Sequence, residues 1–272
     1  MLDSAGAAVR RASSTDSVGF SAAEREKELI PEYWIRQPKA LAATAGMHRF
    51  IWDLHGMTPR AARRSFPISA VPRDTPQEPS GPRVVPGVYR VRLEIGSRKW
   101  EQPLTVMPDP RVSIGQQDYA AQFALAKGLA EALDASSAKA QEVKSLRAQI
   151  RTLAPQEAAI AAQAKELGER FESLMEQGAN APPNGAHRGL ERVNADILSL
   201  YTQVLNADAA PTRAQQSAAD SLFQEWQSIA AASAKIWQND LAPLNQALTR
   251  ARLPPLRSDA AAPEEGESND EE

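Results

Sequence analysis

The chain has no cysteine, three histidines, few aromatic residues (6%) and no long apolar run. The first absence excludes disulfides, thiol catalysis and Cys-ligated metals. No run approaches the ~18 apolar residues of a transmembrane helix. Residues 1–16 lack the apolar core of a signal peptide. The sequence therefore reads as a soluble chain with no export address of its own. Charge of one sign is also missing: the net charge is −3, which gives no electrostatic basis for binding nucleic acid. The motifs of several enzyme classes are absent too: there is no HExxH, no GxSxG, no P-loop and no GxGxxG ahead of a helix.

The charge is unevenly placed. Residues 1–112 carry 17 Lys/Arg against 12 Asp/Glu, and residues 113–272 carry 14 against 22. Seven of those acids lie in 258–272, which has no basic residue. The acidity is thus a tail, and residues 254–272 are expected to be disordered.

What is present divides by period. Asp3-Ser4-Ala5-Gly6 is a turn signal, with Ala8–Ala12 as an extended strand whose partner is cut short by the start of the chain. Residues 13–45 form a long irregular excursion, with a short helix at Glu24–Glu28 and Pro31–Arg36 extended. Met47–Leu54 alternates, with Phe50, Trp52 and Leu54 as the buried face. Residues 56–83 contain six prolines and form a polar loop. Val88–Ile95 alternates again, Gly96-Ser97 turns, and Lys99–Met107 returns as the second arm of a hairpin.

From Ser113 the period lengthens to about 3.5 residues. Ser113–Gln116 fits a capping box. Tyr119, Phe123, Ala126, Ala130, Leu133, Ala140, Val143, Leu146, Ile150 and Leu153 form one apolar stripe. Pro155 suits the start of a second helix, lined by Ile160, Ala164, Leu167, Phe171 and Leu174. Leu190, Val193, Ile197, Leu200 and Val204 line a third. Thr212–Gln215 caps the last helix, whose stripe runs from Ala218 to Leu248. Pro243 should kink or break it.

The expected architecture is α+β with separate parts. An Ig-like antiparallel β-sandwich occupies residues 1–110, with an irregular insertion at 13–45 and a Pro/Arg-rich loop at 56–83. A three- to four-helix antiparallel bundle follows at 113–252, then the acidic tail at 253–272.

Asp3–Gly6 with Val9-Arg10, Gly46–Asp53, and Val85–Tyr89 leading into Val91 and Leu93 resemble the Ig-like module of flagellar hook-cap and other exported bacterial proteins. A broader pattern comprises PEYWIRQP (31–38), GMHRFIWDL (46–54), ISAVPRDTP (68–76), Gly81–Tyr89 and QPLTVMPDPRV (102–112) leading into Gln122–Leu125. This pattern resembles the C-terminal region of bacterial sortilin-like or BNR-repeat proteins, often labelled glycosyl hydrolase-like. The resemblance implies a β-propeller ahead of such a region, with any hydrolase chemistry on the propeller. It further implies a periplasmic or extracellular setting and a detached, non-catalytic structural or interaction module. The expected partners are a β-propeller domain or another exported protein. The alternative is an accessory carbohydrate-binding module that takes polysaccharide.

The candidate contact residues follow from residue type. Trp34 and Trp100, with Tyr33, offer rings on which sugars stack; Arg60, Arg63 and Arg64, with Arg73 and Arg83, offer cations to an acidic partner. His48, Asp53 and His55 are the nearest approach to a metal set, but zinc wants three or four converging ligands, so packing and turn hydrogen bonds are the simpler reading. Asp74, Glu78, Glu94 and Asp109 show no pattern that would pair two acids across a cleft. No cofactor is expected. Trp226 and Trp237 are expected to have at least one ring buried.

Overall fold

The computed structural model describes residues 1–16, 30–36, 40–62, 64–67, 71–153, 157–176 and 188–258. Strand β1 spans Gly87–Ile95 and β2 spans Arg98–Val106. The helices are α1 Gln116–Thr152, α2 Ala158–Glu176, α3 Leu190–Leu205, α4 Arg213–Ile236 and α5 Ala242–Arg250. A π-turn, Trp237–Leu241, joins α4 to α5. No helix among the described residues is long and apolar enough to cross a membrane.

The chain forms two compact units, Met1–Glu131 with Leu200–Gln216, and Ala132–Ser199 with Ser217–Glu272. The division falls within α1, α3 and the first turn of α4.

Among the described residues the expected Ig-like sandwich does not form. The sheet has two strands, β1 and β2, paired antiparallel from Gly87↔Val106 to Ile95↔Arg98. Gly96 has φ +57, and a glycine at the first turn position suits the tight turn that matches strand twist. Met47–Leu54 alternates in sequence yet forms no strand: among the described residues the neighbouring pairing is the single bridge His55↔Arg83. Phe50 is 44% and Leu54 39% exposed, and of the expected buried face Trp52 alone packs on the core. Alternation needs a partner strand to become a sheet, and the Pro-rich 56–83 segment supplies none. Leu54, at φ +58, turns the chain instead, and its carbonyl accepts from the Val84 N–H.

The apolar cluster beneath the hairpin is correspondingly small. Val84, Tyr89 and Val106 are buried, with Val9, Trp52 and Leu104 packed on them. Tyr89 meets Trp52 edge-on at 5.7 Å and donates its hydroxyl to Val85 O. The Asp3–Gly6 turn forms, with the Asp3 carboxylate accepting from the Ala7 N–H, and Leu2 bridges to both Ala8 and Arg90. Pro31–Arg36 is not wholly extended: Glu32–Trp34 makes a 3₁₀ turn, after which buried Ile35 bridges Thr75. Gly81 is required by a close approach, since a Cβ there would lie 2.3 Å from Gly56 O. Tyr201, fully buried, donates to Ser80 O, and Gln122 donates to the carbonyls of Val204 and Ala207.

The helical stripes are buried largely as the period predicts. Leu133, Val143, Leu146, Leu167, Phe171, Val193 and Ile197 have at most 1% exposure, and each such aliphatic contributes on the order of 2 kcal/mol. In α4, Ala219 takes the inward position expected of Ala218. Within the second unit the pairings show that the helices run antiparallel. Arg147 meets Glu172 while Ile150 faces Gly168. Asn194 meets Ser136 and Ser137 while Glu191 meets Lys144. Phe171 meets Trp237 while Arg170 meets Asp240.

The helix ends hold two corrections. Thr212 and Gln215 form the reciprocal capping box, but at α1 the expected Ser113–Gln116 box is replaced by a single bond from the Gly115 N–H to the Asp118 carboxylate. Pro243 neither breaks nor sharply stops the helix. The preceding turn widens, so that the Ala242 N–H reaches Trp237 O and Pro243 falls within the first turn of α5, where a missing N–H is tolerated. Neither Trp226 nor Trp237 is fully buried; Trp237 donates its indole N–H to Glu142 and lies under Lys139. The tail is ordered at its start, where buried Leu256 exchanges two hydrogen bonds with the Asn245 side chain. Glu24–Glu28, Pro155 and the acidic residues from 259 onward lie outside the described residues.

Candidate interaction surface

The hairpin has two unlike faces. Successive side chains on a strand alternate, so Tyr89, Val91, Leu93 and Ile95 share a face with Arg98, Trp100, Gln102, Leu104 and Val106. At its base this face is core, where Tyr89 and Val106 are buried. Toward the turn it is open: Leu93 is 49%, Ile95 62% and Trp100 47% exposed. The apolar row is continuous, and the covering runs out halfway along it.

The opposite face is a charge ladder. Arg92 meets Glu101 at 2.6 Å and Glu94 at 3.8 Å; Lys99 meets Glu94 at 3.1 Å; Arg90 meets Glu101 at 3.3 Å. The hydrogen bond from Arg92 holds the Glu101 carboxyl below the usual glutamate range. Solvent screens such pairs, so they set cross-strand register more than stability.

The two edges also differ. Leu2 and Arg90 exchange both backbone hydrogen bonds, at 2.8 and 2.9 Å. The backbone of Arg90 therefore points away from β2, and alternation then turns the backbones of Lys99, Glu101, Pro103 and Thr105 outward from β2. Pro103, which has no N–H, lies where none is needed inside the ladder. Among the described residues nothing pairs with this outer edge.

Met47–Trp52, of which Trp52 packs on the cluster at the hairpin base, makes no backbone ladder bonds among the described residues. Met47 is 99% and Ile51 80% exposed. Exposed apolar groups gathered in one module mark an interaction surface.

The residues expected to make contacts are distributed as follows. Trp100 sits mid-strand on the open apolar face. Trp34 is half-buried and edge-on to Tyr33 at 5.9 Å; among the described residues no ring contact joins it to Trp100. Arg60 is exposed, Arg64 donates to Pro59 O, and Arg83 pairs with Asp208 at 2.7 Å. Arg63 lies outside the described residues. Sequence reasoning read Leu93 and Ile95 only as members of an alternating strand and did not single them out as surface. The signal lay in strand length, since two nine-residue strands outreach the small cluster at their base.

The histidines and acids do not converge. Among the described residues no three or more His, Asp or Glu could hold a metal ion. His55 donates Nδ1–H to Asp53 O at 2.8 Å, while its own backbone N–H meets the Asp53 carboxylate. Burial lowers the His55 pKa; Asp53 opposes this, while Arg83 and Arg10 add to it. A cavity of about 20 Å³ beside Val84, Tyr119 and Phe123 has room for no more than a water. An open groove of about 630 Å³ lies along α4 beside Leu174 and Ile229. Its charged residues are matched: Arg188 binds Glu225 through both oxygens and also binds Asp196.

Compared with known proteins, the chain matches no family model, no curated protein and no solved structure.

Proposed function

We propose that the chain is a non-catalytic interaction module whose β-hairpin docks onto a larger partner. The partner favoured by the sequence resemblance is an exported β-propeller protein of the sortilin-like or BNR-repeat kind. The observation that supports this reading is the single apolar row that begins as core at Tyr89 and Val106 and continues uncovered through Leu93, Ile95 and Trp100. Covering such a row is favourable by about 25 cal/mol per Å² of apolar surface removed from water. The helices serve spacing or assembly, their charged side chains largely matched in pairs on the surface.

The test is calorimetric titration of the full chain with the β-propeller protein encoded nearest to it. Binding should be saturable, lost in Leu93→Asp, and kept in Glu94→Gln on the opposite face. A chain that stays monomeric and gives no heat with the propeller overturns the reading. One observation favours the carbohydrate alternative, namely the exposed indole of Trp100. A glycan-array signal abolished by Trp100→Ala would establish that alternative instead.

A further inference from the structure

We infer that the outer edge of β2 pairs antiparallel with the same edge of a second copy of this chain, with Trp100 on the two-fold axis. This rests on reading the hairpin as an interaction surface and names one occupant for it. An isologous contact needs a patch complementary to itself, and the sequence of β2 meets that condition in one register.

With Trp100 opposite Trp100 of the copy, Lys99 falls opposite Glu101, and Glu101 opposite Lys99. These two residues already point their backbone N–H and C=O groups outward, so the register joins the copies through the hydrogen-bonded pairs of an antiparallel ladder. Each protomer already sets Glu94 against Lys99 and Arg92 against Glu101. The charged face of the joined sheet then reads, strand by strand, Glu94, Lys99, Glu101, Arg92, with signs alternating throughout. The apolar face reads Leu93, Trp100, Trp100, Leu93, which lays each half-exposed indole against the other. Aromatic pairs across a ladder are among the favourable ones. The pairing is short, because Pro103 can donate nothing outward and falls opposite Ser97 in the turn. A slip by two residues either way puts Lys99 opposite Lys99 or Glu101 opposite Glu101, and like charges directly opposite are destabilising.

The experiment is sedimentation equilibrium of the full chain from micromolar to millimolar concentration. The mass should rise from 29.5 kDa about twofold. Lys99→Glu alone and Glu101→Lys alone should each remain monomeric. Mixed in equal amounts they should form a one-to-one heterodimer, because every 99/101 contact is again opposite in charge. As a check that does not depend on charge, Trp100→Cys should oxidise to a linked dimer, since the Cα atoms of such a facing pair lie ~4.5 Å apart, within disulfide reach. Ile95→Cys, one strand removed from the axis on each side, should cross-link far more slowly. Three results would each overturn the inference: a wild-type monomer at every concentration, a dimer unchanged by both charge variants, or equal cross-linking at 95 and 100. If the chain is monomeric yet binds the propeller, only the self-pairing falls; if it does neither, the interaction reading falls too.

Discussion

Leu93 lies directly opposite Trp100 across the hairpin, and both side chains are about half exposed although they continue the row that forms the core. Surface position makes them cheap to change. Leu93→Ser or Trp100→Ser should shift stability by no more than about 0.5 kcal/mol while abolishing partner binding. Tyr89→Ala, on the same face but buried against Trp52, should cost about 3 kcal/mol. Chemical denaturation of the three variants, run beside a binding assay, checks both halves of this expectation.

Asn194, buried in the second unit, donates to Ser136 and Ser137 at 2.7 and 2.8 Å. Asn194→Leu would leave two buried hydroxyls without that partner, at about 2 kcal/mol. Adding Ser136→Ala and Ser137→Ala removes the stranded groups and should recover most of the loss. Urea midpoints of the single and triple variants test this; a triple variant less stable than the single would contradict it.

Arg252 caps α5 in the left-handed region, at φ +58, with Leu253 N–H bonded to Leu248 O and Arg252 N–H bonded to Thr249 O. This is the Schellman helix end, whose left-handed position glycine usually fills. Arg252→Gly should therefore stabilise the chain by roughly 1 kcal/mol, seen as a higher melting temperature. No change, or a drop, would show that the arginine side chain makes contacts of equal value.

His55 has its pKa lowered by burial in the folded chain, so the folded state binds fewer protons there than the unfolded state. Stability from this group is present above the ordinary histidine value of 6.5 and is lost as pH falls through that value toward the lower folded one. His55→Gln should flatten the pH dependence of stability in this window. Asp109, held near pKa 2 by Arg111, acts at the other end: its contribution is present above the ordinary aspartate value of 3.8 and is lost as pH falls toward 2. Unfolding midpoints across pH, with NMR titration of the His55 ring, separate the two.

The helices were legible in the sequence because their apolar period is long and unbroken: Leu133, Val143 and Leu146 or Ile160, Leu167 and Phe171 reveal a face by spacing alone. Thr212–Gln215 was legible for a similar reason, since a capping box is local. The sheet was not. Met47–Leu54 alternates as a strand should, but strand formation depends on a partner distant in sequence, and local pattern carries no record of whether one exists. The π-turn before Pro243 was hidden as well, because the helix can absorb a proline by widening a turn rather than ending. At the surface, Trp100 stood out as an aromatic in a strand, whereas Leu93 and Ile95 showed only alternation, which does not say how far along a strand the covering extends.

The central claim is that the open apolar half of the hairpin face is an interface. Its most direct test is amide hydrogen exchange of the full chain, dilute and alone, then concentrated or saturated with the β-propeller protein. The account predicts new protection confined to the hairpin, centred on Lys99–Glu101 or on the face carrying Leu93 and Trp100. Exchange in Arg98–Thr105 that stays unchanged under both conditions would contradict it.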